Sequence, residues 1–147
     1  MEQINKIVLM LMLGILFSSF VQQNGKEVYS LNVNVSDLRN SDGVVQFTLY
    51  NKEGSIPDKN YYKQLKNEII DNVSTITFKN IPKGVYAINI LHDENEDGEI
   101  DKGLVLPVEG IGFSNLRSIS PFNQPSFKKA KFELTLDKTI SVTIIYL

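Results

Sequence analysis

The chain contains no cysteine. That excludes disulfides, thiol catalysis, thiolate zinc sites and a lipid-modified N-terminal cysteine. Histidine is almost absent as well: His92 is the single one, so a metal site built on several imidazoles is excluded. No excess of either charge is present, since the formal net charge is −2. Neither nucleic acid nor an anionic membrane surface is therefore indicated as a partner. The short cluster Lys128, Lys129 and Lys131 lies beside a strand-like stretch and reads as a solvated edge that discourages strand pairing. No phosphate loop, dinucleotide fingerprint or zinc motif occurs. Strands do not alternate with long helical patterns, which argues against a parallel α/β sheet.

One apolar run stands out, I-V-L-M-L-M-L-G-I-L-F at 7–17. It is short for a transmembrane helix, which needs roughly 20 apolar residues. A lysine precedes it and small and polar residues follow, so residues 1–23 read as a secretory signal peptide. Phe17 and Phe20 are bulky where a cleavage site wants small residues, and an uncleaved anchor is the alternative. The expected mature protein is a single domain over residues 24–147. It would be periplasmic or secreted in a bacterial envelope, with no membrane span after cleavage.

What remains is rich in period-two alternation. Tyr29, Leu31, Val33 and Val35 share one face of a half-buried strand over 29–36. Asp42-Gly43 makes a turn, and Val45, Phe47 and Leu49 face inward on a second strand over 44–50, so the two read as a hairpin. Residues 59–70 place Tyr61, Leu65, Glu68 and Ile69 at helical spacing after Asp58, and a short helix is expected there. Strands follow over 73–78 and 85–91. The second is apolar at nearly every position and reads as buried on both faces. Residues 104–108 form a short apolar run, and 109–115 read as a glycine-rich loop around Phe113. Alternation returns at Phe132, Leu134 and Leu136, and again over 140–146. The expected fold is all-β: an antiparallel β-sandwich of about seven strands, transthyretin-like or immunoglobulin-like, with at most one short helix.

The central strand runs directly into H-D-E-N-E-D-G-E-I-D at 92–101. Asp93, Asn95 and Asp97 stand at loop positions one, three and five, Gly98 at six and Asp101 at nine, the order of oxygen ligands and turn glycine in a calcium loop. The carbonyl of Glu99 could add a fifth oxygen, and Ile100 would pin the loop to the core. The loop is not an EF-hand, because position twelve is Leu104 where a bidentate glutamate is required. The missing ligand would come from Glu109, from Glu94 or from water. Calcium affinity would be modest, roughly 0.1–1 mM. The alternative is an Asx-rich turn with no ion, since Asp, Asn and Gly are ordinary turn residues.

His92 borders this loop. It could act as a general base or metal ligand beside Asp93, or be a partly buried ring whose nitrogen orders the loop through a carboxylate or carbonyl. Ser114 lies in G-F-S-N, which lacks the second glycine and the strand-turn-helix context of a nucleophile elbow.

The blocks L-R-N-S-D-G, then I-P-K-G-V-Y-A-I-N-I-L-H-D-E-N-E-D-G-E-I-D, P-V-E-G-I-G-F-S-N and P-S-F-K-K-A-K-F, in that order, resemble the bacterial domain of unknown function 2141 family. The resemblance covers about residues 29–147 and implies an exported single-domain envelope protein without naming an activity. More distantly, the strand entering D-x-N-x-D-G is similar to transthyretin-like and collagen-adhesin B-type sandwich modules, a likeness of architecture only. Three functions remain open. One is a non-catalytic envelope domain, steadied by calcium, that binds a protein, glycan or lipid. Another is a small hydrolase or isomerase using His92 with Asp93 or Glu109. The third is a structural subunit of an envelope assembly.

Overall fold

The computed structural model describes residues 27–101, 108–120 and 122–147. The expected signal peptide and most of the apolar run at 104–108 lie outside the described residues. Among the described residues eight strands form: β1 (Val28–Ser36), β2 (Val44–Tyr50), β3 (Lys63–Glu68), β4 (Ser74–Pro82), β5 (Gly84–Asp93), β6 (Gly110–Phe113), β7 (Phe132–Leu134) and β8 (Lys138–Ile145). One helical turn, α1 (Phe127–Ala130), precedes β7. Over the described residues the fold is all-β, as the alternation requires.

The strands join in the order β3-β2-β5-β6-β8-β1-β4, with β7 added to the start of β5. This is one mixed, nearly closed sheet of barrel-like form, in place of the expected antiparallel sandwich. The mixing arises at β1 and β8, which run parallel with Val33 opposite Ile140. The first and last strands lie side by side, and alternation within each carries no information about direction. The expected β1–β2 hairpin is also absent: β1 pairs with β4 and β8, while β2 pairs with β3 and β5.

Two further expectations are corrected. Residues 63–68 are a strand, not part of a helix. Leu65 sits opposite Phe47 and packs on the main core, while Gln64 donates to Thr48 Oγ1 at 3.0 Å on the other face. Pairing along β2 outweighs a weak helical spacing on a polar segment, as tertiary context commonly does. The glycine-rich loop at 109–115 contains a strand, β6. Gly110 and Gly112 turn their bare Cα atoms toward β8, where a Cβ on Gly112 would come within 2.7 Å of the Thr143 carbonyl and 2.9 Å of Val142. Glycine here permits close strand approach, not a turn.

The interior holds Leu31, Val33 and Val35 from β1, Val45, Phe47 and Leu49 from β2, Phe78 from β4 and Ile88 and Ile90 from β5, all with no exposed surface. Each such side chain contributes about 1.5–3 kcal/mol relative to exposure. A second cluster lies outside the barrel. Tyr50, Ala87, Leu91, Ile111 and Phe113 face outward and are covered by Phe127 and Ala130 of α1. β5 is thus buried on both faces, with every residue from Tyr86 to Asp93 buried.

Candidate functional site

β5 delivers Asp93 to the rim of the barrel with no exposed surface. Its Oδ2 accepts from Lys66 Nζ at 2.8 Å and from the Gly98 amide at 3.1 Å. Its Oδ1 is buried and has no hydrogen-bond partner. Beyond it the loop folds on its own side chains. The Asp97 amide donates to Asn95 Oδ1 at 3.0 Å, and the Glu99 amide to Asp97 Oδ1 at 2.8 Å. Asn95 Nδ2 bridges Asp97 Oδ2 at 3.0 Å and Asp101 Oδ2 at 3.1 Å. Gly98 has φ of +80°, which glycine adopts without strain. Ile100 packs against the outer cluster, pinning the loop as expected.

The loop therefore gathers Asn95, Asp97 and Asp101 around one amide, while Asp93 faces Lys66. Glu99 joins through its backbone N–H, and its side chain points to solvent. Among the described residues no three acidic or histidine side chains are arranged as a ready metal cage.

Glu109, only 3 % exposed, closes the loop at its base. Its Oε1 accepts from the Glu94 amide at 2.9 Å and its Oε2 from the Asp101 amide at 3.1 Å. One carboxylate thus holds both ends of the acidic segment. Glu94 turns away from it to pair with Arg39 and to accept from Asn40 Nδ2 at 2.7 Å. The hydrogen bond from Arg39 holds the Glu94 carboxyl below the usual range, with Asn40 adding to the effect.

His92 points into the barrel and is fully buried. Its Nε2 donates to the Asp42 carbonyl at 3.0 Å, which leaves Nδ1 to accept from the Tyr146 hydroxyl at 2.8 Å. Gly110 lies opposite His92 in the ladder, and a Cβ there would stand 2.4 Å from the Tyr146 ring. The missing side chain leaves room for His92 on β5 and Tyr146, just past the end of β8, to meet across β6. Tyr146 also accepts the Arg39 amide at 3.0 Å, and the Arg39 guanidinium lies 4.8 Å from its ring centroid. His92 therefore secures the connection between β1 and β2 to the end of the barrel.

Ser114 serves elsewhere. Its Oγ accepts from the Ile88 amide at 2.9 Å and donates to the Ala130 carbonyl at 2.6 Å, tying α1 to β5. Ile88 is four positions from His92 along the strand, about 13 Å. Ser114, His92 and Glu109 do not converge, and no nucleophile–base pair forms among them.

A second feature was not singled out by the motifs. The outward face of β2, β3 and β5 carries a groove of about 710 Å³. Gln46, Thr48, Gln64 and Asn89 form its floor, and it is bounded by Tyr61 and Asp58 toward one end and by Asp97 and Glu99 toward the other. The signal for it was Asn89, an amide inside an apolar strand, together with Gln46 and Thr48 alternating with core residues of β2. Tyr50 closes the floor near Asp58, donating to the Asp58 carbonyl at 3.0 Å, and burial raises its hydroxyl pKa.

A family model described as an uncharacterized protein conserved in bacteria, domain of unknown function 2141, matches residues 33–142. The chain belongs to this family. No curated protein and no solved structure matches it. In this domain of unknown function 2141 protein the matched region spans β1 to β8 and includes the acidic loop, the Glu109 clamp and the floor of the groove. Its groove offers hydrogen-bonding side chains on the floor, with Asp58, Asp97, Glu99 and Lys59 around them.

Proposed function

We propose that the chain is an exported, non-catalytic domain of the bacterial envelope that works by binding, with calcium steadying the loop at 93–101. The observation that carries this reading is how the reactive side chains are used. His92, Ser114 and Glu109 are buried, and their polar atoms are engaged by backbone groups and Tyr146, so none is available to a substrate. The open groove, by contrast, is lined by groups suited to recognition. Export rests on the N-terminal sequence alone. A structural role within a larger assembly is the competing reading.

The calcium reading is supported by the unpartnered Asp93 Oδ1, a buried acceptor within the loop. Lys66 and Gly98 occupy only Oδ2. Asp97 and Asp101 already converge on Asn95, so a modest rearrangement of exposed side chains would present several oxygens to a hard cation. An ion bound by the folded state alone raises the melting temperature by mass action. Millimolar calcium should therefore stabilise the wild type, and Asp97→Ala should abolish that gain. Magnesium should substitute poorly. Identical melting of wild type and Asp97→Ala in calcium and in chelator would show an ordinary acidic turn.

A further inference from the structure

We infer that the groove on the outer face of β2, β3 and β5 is a binding site for a neutral oligosaccharide. The inference rests on the binding reading above and specifies its ligand. The floor is uncharged: Gln46, Thr48, Gln64 and Asn89 offer amides and a hydroxyl. Thr48 and Asn89 are nearly fully buried, yet only part of their capacity is used within the protein. Thr48 accepts from Gln64, and Asn89 Nδ2 donates to the Gly112 and Ile90 carbonyls. Among the described residues the Gln46 amide, the Gln64 carbonyl oxygen and the Asn89 carbonyl oxygen have no protein partner. Donors and acceptors interspersed without charge match sugar hydroxyls, which both donate and accept.

Tyr61 supplies the complementary surface. It is 45 % exposed at the groove wall, a rigid ring able to lie against the apolar face of a sugar. From Gln46 to Tyr50 the floor runs about 13 Å along β2, the length of a short oligomer and not of one ring. Asp58, Asp97 and Glu99 outnumber Lys59 around the rim, which disfavours phosphates and acidic sugars.

An extended peptide is the competing occupant. Peptides that dock on sheets add backbone hydrogen bonds to a free edge. Here the groove lies on a face, and the backbone of β2 is already paired with β3 on one side and β5 on the other. Only side chains reach the ligand, which suits a polyol.

The purified protein should be screened on an array of neutral glucan, mannan, xylan and chitin fragments, and the strongest binder measured by calorimetry. Tyr61→Ala and Gln46→Ala should each weaken binding by about tenfold or more, as loss of a central anchor does. Phe122→Ala, which removes a fully exposed aromatic outside the groove lining, should leave binding unchanged. Thermal melts of each variant keep a folding defect separate from a binding defect, and Gln64→Ala provides a second floor variant if Gln46→Ala is unstable. Absence of binding to every neutral fragment at millimolar concentration overturns the inference. So does binding that Tyr61→Ala does not weaken, or capture of an oligolysine peptide by the acidic rim in preference to every neutral fragment. If calcium stabilises the protein and no glycan binds, the groove assignment falls and the calcium reading stands. If a glycan binds and is cleaved, the site stands and the non-catalytic reading falls.

Discussion

Glu109→Ala isolates the contact that shapes the acidic loop. The Glu109 carboxylate is buried, and each oxygen accepts one backbone N–H, from Glu94 and from Asp101. Hydrogen bonds to a charged acceptor contribute about 1.5–3 kcal/mol each, so two give about 3–6 kcal/mol. Removing the side chain opens a path for water to these amides, because Asp101 is exposed and Glu94 is half-buried. The expected cost is therefore at the low end, about 3 kcal/mol. That is a large share of the stability of a small domain, which is typically about 5–15 kcal/mol. Urea unfolding in chelator measures the loss, and amide hydrogen exchange locates it: protection should fall at Glu94 and Asp101. Glu109→Gln should recover little, because its NH2 group faces one of the two donors. A loss below about 1 kcal/mol, with both amides still protected, would refute the clamp. A loss seen only with calcium present would instead make Glu109 an ion ligand.

Gly110→Ala should destabilise the domain by about 1–3 kcal/mol through overpacking, because the new methyl meets the Tyr146 ring at 2.4 Å; thermal melting checks this. Ser114→Ala leaves the buried Ile88 amide without its side-chain acceptor and should cost about 1–3 kcal/mol by urea unfolding, with the loss centred on α1 and β5. Arg39→Met tests the Glu94 pair through pH. Because the Glu94 carboxyl is depressed below its ordinary 4.5, the stabilisation is full above that value and is lost as pH falls through the lower folded value. The pair is partly exposed, so the difference between wild type and variant should be no more than about 1 kcal/mol at neutral pH. It should shrink in acid toward the residue left by Arg39 stacking on Tyr146. A difference that grows below pH 4 would contradict the assignment.

Local pattern alone located most of the strands. Leu31, Val33 and Val35 had to share a face because side chains alternate along a strand, and they do so with no exposed surface. The unbroken apolar run of β5 required cover on both sides and has it. The composition of the loop was equally local: alternating Asp and Asn side chains take the amides two residues on, and Gly98 supplies the positive φ.

Everything that depends on a partner distant in the chain was decided by the tertiary structure. Periodicity states which face is buried and not which strand lies alongside, so the parallel pairing of β1 with β8 was illegible. Lys63–Glu68 became a strand because the edge of β2 was free to pair with it, and β6 is a strand because glycine lets β8 approach. The roles of the site residues follow the same division. His92 depends on Asp42 and Tyr146, Glu109 on Glu94 and Asp101, and Asp93 on Lys66, each separated by 8 to 54 positions. A side chain's chemistry is written in its own residue, but what it touches is set only when the sheet closes.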